Sequence, residues 1–357
     1  MRFLYWTGNH SSLGQRSLED IIGVQGHQFK ALGHEAIWNP KNDQFLNKEN
    51  GINIIIEGFT PPVIELMARA KGEGARFIIL ATEEPTEKGF NHGTQKEMIW
   101  RQKIFPEAAK HCEGILHLVP GDRVTKWFSQ FAPSAPAELG YAPTLMRDRG
   151  ITPDYEFGFY GSLTPRRRKI LKRLANATGL AKAVRLIADF KTQAERDEAM
   201  QHAKVIVQVR KFDAMGLVSS SRCNTALTIG RPVVAEPHDL AKPWDEVVRF
   251  TDTIEGFIHV ANIARMAWRG IYADQIAKFK AKMNPDICLG QALAQIGVVD
   301  GQGTFGGAPS VSQETPMAPI NGAVTIDTPI PEDAVVTLDA DRPPPTYDGY
   351  IEKELNG

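Results

Sequence analysis

Short apolar runs alternate with stretches of helical period twice along this chain, and no other feature limits its possible folds as strongly. In the first half the runs at 3–6, 36–38, 52–56, 76–81 and 115–119 read as buried strands. Amphipathic stretches near 15–32, 61–71, 94–111 and 122–131 separate them. The segment APSAPAELGYAPTLMRDRGITPDYE then breaks both periods with prolines and glycines. Beyond it the alternation resumes, with strands expected at 157–160, 184–187, 205–209 and 232–235 and helices near 165–178, 193–203 and 219–229. A mainly helical stretch follows over 245–282, and such a helix can return across to the first half. Strand–helix order of this kind predicts an α/β protein with two Rossmann-like, doubly wound parallel sheets. The expected boundaries are 1–150, 151–300 and a tail, 301–357.

Composition sharpens the picture at the tail. Residues 301–357 hold nine acids against Arg342 and Lys353 and are rich in proline and glycine, which reads as a disordered acidic extension. Docking of its TYDGYIEKEL segment on a partner is the alternative. Removing the tail's −7 from the chain's −1 leaves +6 on residues 1–300, a mild bias toward anionic ligands such as phosphates. Cys112, Cys223 and Cys288 are isolated, so neither a disulfide framework nor a structural zinc site is supported. The opening apolar run is four residues long and meets a polar loop. It reads as a buried first strand, giving the expectation of a cytoplasmic protein with no membrane span.

The most informative stretch is FGFYGSLTPRRR, where a strand ends in Gly161-Ser162 and arginines open the next helix. Glycine admits close approach of the backbone, the helix N-terminus offers free N–H groups, and Arg166, Arg167 and Arg168 add charge. Three consecutive arginines point in different directions on a helix, so at least one is expected on a solvated face. A second stretch, KFDAMGLVSSSRCNTALTIGRPVVAE, repeats the pattern one unit later. Ser219, Ser220 and Ser221 can cap that helix or donate to a phosphate. Arg222 sits in its first turn, where the helix dipole disfavours a cation and an anionic ligand explains it better. An ordinary serine cap beside a surface arginine is the plain alternative.

The order of strand, Gly-Ser, arginine helix, then Arg222, Ala226, Leu227, Gly230, Pro232, Val233 and Val234 resembles the nucleotide-sugar domain of GT-B glycosyltransferases, nearest their CgeB-like, spore-maturation branch. The resemblance covers mainly residues 155–260. It implies two Rossmann-like domains facing one another, the second holding the donor nucleotide and the first most of the acceptor. The donor-binding residues it implies are Gly161, Ser162, Arg166, Arg167, Lys211, Ser221, Arg222, Asn224, Thr225 and Glu236. One departure stands out. Such enzymes commonly carry a glutamate three residues after the helix arginine to grip the donor ribose, and here Thr225 occupies that position. A hydroxyl lacks the charge-assisted acceptor strength of a carboxylate, leaving Asn224 or Glu236 to replace it, a different donor, or lost catalysis.

The first half offers His10 after its opening strand, Glu57 after the third, and Glu83 and Glu84 after the fourth. A base must take the acceptor proton, and His10 is the leading candidate because imidazole titrates near neutral pH. Glu83 and Glu84 come next, since adjacent like charges raise one pKa. His92 is expected to be exposed. Trp6, Trp38, Trp100 and Trp127 are assigned no role. No D-x-D pair lies in a strand-end loop, so no metal site and no cofactor are expected, and Arg166, Lys211 and Arg222 would carry the leaving-group charge. The favoured reading is a metal-independent glycosyltransferase using a nucleotide sugar, expected to be a UDP-sugar. Its acceptor hydroxyl stays open among glycan, protein, small molecule and DNA. A nucleotide-sugar epimerase of the same fold and a non-catalytic binding protein are the alternatives.

Overall fold

A computed structural model describes residues 1–10, 12–40, 44–90, 95–180, 183–187, 190, 192–211, 219–236, 243–299 and 335–336. The chain divides into two compact units. The first comprises Met1–Leu118, Asp122–Ala137 and Pro285–Gly357, and the second Val119–Gly121 and Glu138–Asn284.

In the first unit the strands are β1 (Arg2–Trp6), β2 (Glu35–Trp38), β3 (Phe45–Leu46), β4 (Ile52–Ile56), β5 (Phe77–Ala81), β6 (Pro85–Thr86), β7 (Gly89–Phe90), β8 (Gly114–His117) and β9 (Ser134–Pro136). Its helices are α1 (Ser12–Ala31), α2 (Pro61–Gly72), α3 (Gln95–Ala109) and α4 (Asp122–Phe128). Six strands form one parallel sheet in the order β2-β1-β4-β5-β8-β9. Every residue of β4 and β5 is buried, which is why FIILA reads as an unbroken apolar run and INIII as one interrupted by Asn53 alone: helices cover both faces of such strands. Asn53, buried within β4, is tolerated because its side chain exchanges bonds of 2.8 Å with the Leu46 backbone and donates to the Arg76 carbonyl. Phe90, Phe105 and Phe128 pack with Trp127 into an aromatic cluster, which gives Trp127 a core role.

The second unit begins earlier than residue 150. Its strands β10 (Tyr155–Tyr160), β11 (Val184–Ile187), β12 (Ala203–Gln208) and β13 (Val233–Ala235) form a parallel sheet ordered β11-β10-β12-β13. Helices α5 (Pro165–Thr178), α6 (Gln193–Gln201), α7 (Ser220–Thr228), α8 (Trp244–Val247), α9 (Ile254–Met266) and α10 (Trp268–Lys282) accompany it. Helix α5 shows how the sequence sets its limits. Thr164 caps it, its hydroxyl accepting from the Arg167 amide at 3.3 Å; Pro165 opens it, and Gly179 ends it at φ 66°.

Two differences from the sequence reading concern connections. The segment read as a linker contains β9, whose three residues include two that are buried; pairing beside β8 makes it a strand despite its shortness. The helical stretch 245–282 stays within the second unit, and the chain rejoins the first at Pro285, with a π turn at Asp286–Gly290 and α11 (Gln291–Gln295). The expected disordered tail lies outside the described residues except for β14 (Val335–Val336), which pairs antiparallel with β3. No described helix is long and apolar enough to cross a membrane.

Candidate functional site

In a parallel sheet the ligand crevice lies beyond the carboxyl ends of the strands, where the strand order reverses. In the second unit that point falls between β10 and β12. Strand β10 runs out into Gly161, at φ 138°, a conformation that side chains disfavour. A Cβ built there would stand 3.1 Å from the Arg222 guanidinium carbon, so glycine is needed both for the turn and for the approach of that arginine.

Arg167 closes the crevice from within. It is 1% exposed. Its Nε donates to the Val209 carbonyl at 2.9 Å and Nη1 to the Ser162 carbonyl at 2.8 Å and hydroxyl at 3.3 Å, stitching the ends of β10 and β12 together. Its guanidinium lies 5.3 Å from the Phe159 ring centroid. Among the described residues Arg167 forms no ion pair. Burial and then the Arg222 charge push its pKa down to about 10, with Arg166 adding to the effect and Glu236 opposing it.

Arg166 forms a two-pronged pair with buried Glu236, at 2.8 Å for each prong, and donates to the Arg210 carbonyl at 3.0 Å. Glu236 also accepts from the Arg210 amide, and the Arg210 Nε stands 3.6 Å from it. Arg168 is exposed, as the directions of three consecutive arginines require. The Lys211 carbonyl accepts from the Thr164 hydroxyl at 3.4 Å. Arg222, in the first turn of α7, is half-buried with its guanidinium 6.0 Å from the Tyr160 ring centroid. Residues 212–218 and 237–242, which complete the second motif, lie outside the described residues.

Other donor-site candidates point elsewhere. Ser219 occupies the cap position of α7 with no side-chain cap bond. The carbonyl of Ser221 accepts from the Thr225 hydroxyl at 2.9 Å, so Thr225 bonds back into its own helix. Asn224 is buried and donates to the Leu139 and Gly140 carbonyls at 3.0 and 2.9 Å. Asn224 therefore holds α7 in place, while the Thr225 hydroxyl is used within its own helix, and spacing along the helix discloses neither use.

In the first unit the order reverses between β1 and β4. His10, half-buried, stands there with Nε2 3.4 Å from the Ile56 carbonyl, beside buried Asn9, which donates to the Ile56 and Gly58 carbonyls. Gly58, at φ 127°, leaves room for the ring: an added Cβ would lie 3.1 Å from His10 Cε1. One strand over, Glu57 is 3% exposed and accepts from the Thr82 amide at 2.9 Å and hydroxyl at 2.5 Å. Arg101 lies 3.7 Å from Glu57 and 4.0 Å from Glu83. Glu84 is 2% exposed and paired with Arg123, which also donates to the Pro85 carbonyl at 2.6 Å. Burial pushes the Glu57 carboxyl up to about 7, with Arg101 opposing and Glu83 reinforcing the rise. Desolvation is thus the chief cause of the raised value at Glu57, a residue far from Glu83 in sequence but joined to its neighbourhood through Thr82 and Arg101. His92 lies outside the described residues. Among the described residues no cluster of three or more histidine, cysteine or acidic side chains is arranged to hold a metal ion.

No protein-family model matches the chain, and no curated protein resembles it in sequence. Solved structures resemble it in fold. HepE of Anabaena, in complex with UDP and glucose, is 10% identical with a TM-score of 0.52, the match covering 84% of this chain and 99% of that one. A DNA-modifying β-glucosyltransferase is 9% identical with a TM-score of 0.51 over 83% of this chain and 98% of its own. A T4 phage BGT variant in complex with UDP-glucose is 10% identical at 0.50, covering 83% and 99%. At such identity the likeness is one of architecture: the chain has the α/β fold of GT-B glycosyltransferases.

Proposed function

We propose that the chain is a glycosyltransferase moving a sugar from a nucleoside diphosphate donor, a UDP-sugar, to an acceptor hydroxyl. The carrying observation is the buried Arg167 at the β10–β12 crevice, with the Arg222 guanidinium brought close to the Gly161 turn and its charge acting against that of Arg167. A polyanion at the Gly161-Ser162 turn relieves that charge, and Arg222, Arg166 and Lys211 with the N-termini of α5 and α7 are the groups assigned to it. Arg167 then acts by holding the turn, because its guanidinium is already committed to main-chain carbonyls. The same cations stabilise the diphosphate leaving group as the bond to the sugar breaks, which makes the reaction metal-independent in this reading. His10 takes the proton of the acceptor hydroxyl, with Glu83 the second candidate; Glu84 serves the loop through Arg123. The motif order from Arg222 to Val234 supports placing the chain near the CgeB-like branch.

Calorimetry with UDP, ADP and GDP on the native chain and on Arg222→Ala tests the donor site. UDP is expected to bind, and loss of a charge-assisted contact worth about 1.5–3 kcal/mol should weaken it by about 10- to 150-fold. Absence of binding by all three nucleotides refutes the proposal. It would leave the second reading, a binding protein of this fold without catalysis, which is favoured by Thr225 bonding into its own helix where a donor-gripping carboxylate is usual.

A further inference from the structure

Glu138 is the first residue of the second unit after the crossover from β9, and it lies in a segment that reads as linker. Its side chain is 4% exposed. The carboxyl accepts from the Trp244 indole at 2.8 Å and from the Ser220 hydroxyl at 3.3 Å. Ser220 is the first residue of α7, and Asn224, one turn on, donates to the carbonyls of Leu139 and Gly140. The segment 138–140 therefore grips α7 at two points a turn apart, while Arg222 of the same turn lies toward Gly161 and Tyr160.

We propose that Glu138 is a positioning residue for the donor site, holding the first turn of α7 through Ser220 against Trp244, with any negative charge on its carboxyl opposing a bound diphosphate. This rests on the reading of Arg222 as a diphosphate ligand. The chemistry follows from the surroundings. Burial pushes the Glu138 carboxyl up to about 8, and the bonds from Trp244 and Ser220 only partly oppose this. From α7 the neighbouring titratable groups are Arg222 and Cys223; burial raises the Cys223 thiol, so it stays neutral. From α8 they are Asp245 and Glu246, the latter 3.0 Å from Lys282 of α10. On its own segment Tyr141 lies under Lys280, 5.1 Å from the ring centroid. A diphosphate at the N-terminus of α7 adds negative charge near Glu138 and favours its protonated form further. The complex then retains a proton that the free protein releases above about pH 8, so affinity falls as pH rises past that point.

The test is calorimetric titration of the full chain with UDP between about pH 6 and about pH 9.5, in buffers of differing ionisation enthalpy, beside Glu138→Gln. Wild type should take up a fraction of a proton per UDP near the upper end and lose about tenfold in affinity relative to Glu138→Gln, the effect of one pKa unit. The glutamine variant cancels the ionisation of UDP itself, and proton uptake by wild type needs no variant to fold. If UDP binds with no proton uptake and parallel pH profiles, the role of Glu138 is refuted while the donor site stands. If UDP binds at no pH, the donor reading itself has failed, and Glu138 with it.

Discussion

The Glu57→Gln substitution separates burial from charge in the first unit, because glutamine keeps the shape of the carboxyl and removes its ionisation. In the native chain the carboxyl titrates at about 7 against an ordinary value of 4.5. The folded state therefore favours the protonated form. The stability this group contributes is complete below about pH 4.5 and is lost as pH rises through about 7. A shift of that size corresponds to roughly 3 kcal/mol, and coupling to the neighbouring charges reduces it to about 1–3 kcal/mol. Glu57→Gln should accordingly be near wild type in stability at about pH 5 and gain about 1–3 kcal/mol relative to it at about pH 8. Urea unfolding at the two pH values measures the difference directly. Arg101 keeps Glu83 at 4.0 Å, so the variant does not leave a lone buried cation. A stability difference that is the same at both pH values, or one favouring wild type at the higher pH, would refute the argument that desolvation outweighs Arg101.

Gly161→Ala forces a side chain onto φ 138° and sets its Cβ 3.1 Å from the Arg222 guanidinium. Stability is expected to fall by about 1–3 kcal/mol and UDP affinity with it; a stability loss with unchanged UDP binding would separate the turn from the donor site. For His10→Ala, hydrolysis of UDP-glucose with water as acceptor should lose about 10²- to 10⁴-fold in kcat at unchanged UDP affinity, and an undiminished rate would transfer the base role to Glu83.

How much of this was legible in the sequence depended on whether the determinant was local. Strands such as β4 and β5 announce themselves because burial on both faces leaves apolar residues at all but Asn53, and α5 carries its cap, its first-turn proline and its terminal glycine in or beside its own span. Gly161 was equally readable, since a positive φ leaves its mark at the residue that adopts it. Partnerships across the fold leave no such mark. Arg101 reads as the polar face of a helix yet is buried against Glu57, and Glu138 reads as linker yet lies under Trp244, over a hundred positions on. Asn224 shows the converse: singled out for its chemistry, it fastens α7 to the Leu139 and Gly140 carbonyls. A helix that presents a cation at its own N-terminus works against its dipole, and here Ser220 and Asn224 tie the start of that helix to residues 138–140. The residues hardest to find from sequence are thus those that hold the recognisable ones, so a motif can be read along the chain while the contacts that fasten its helix cannot.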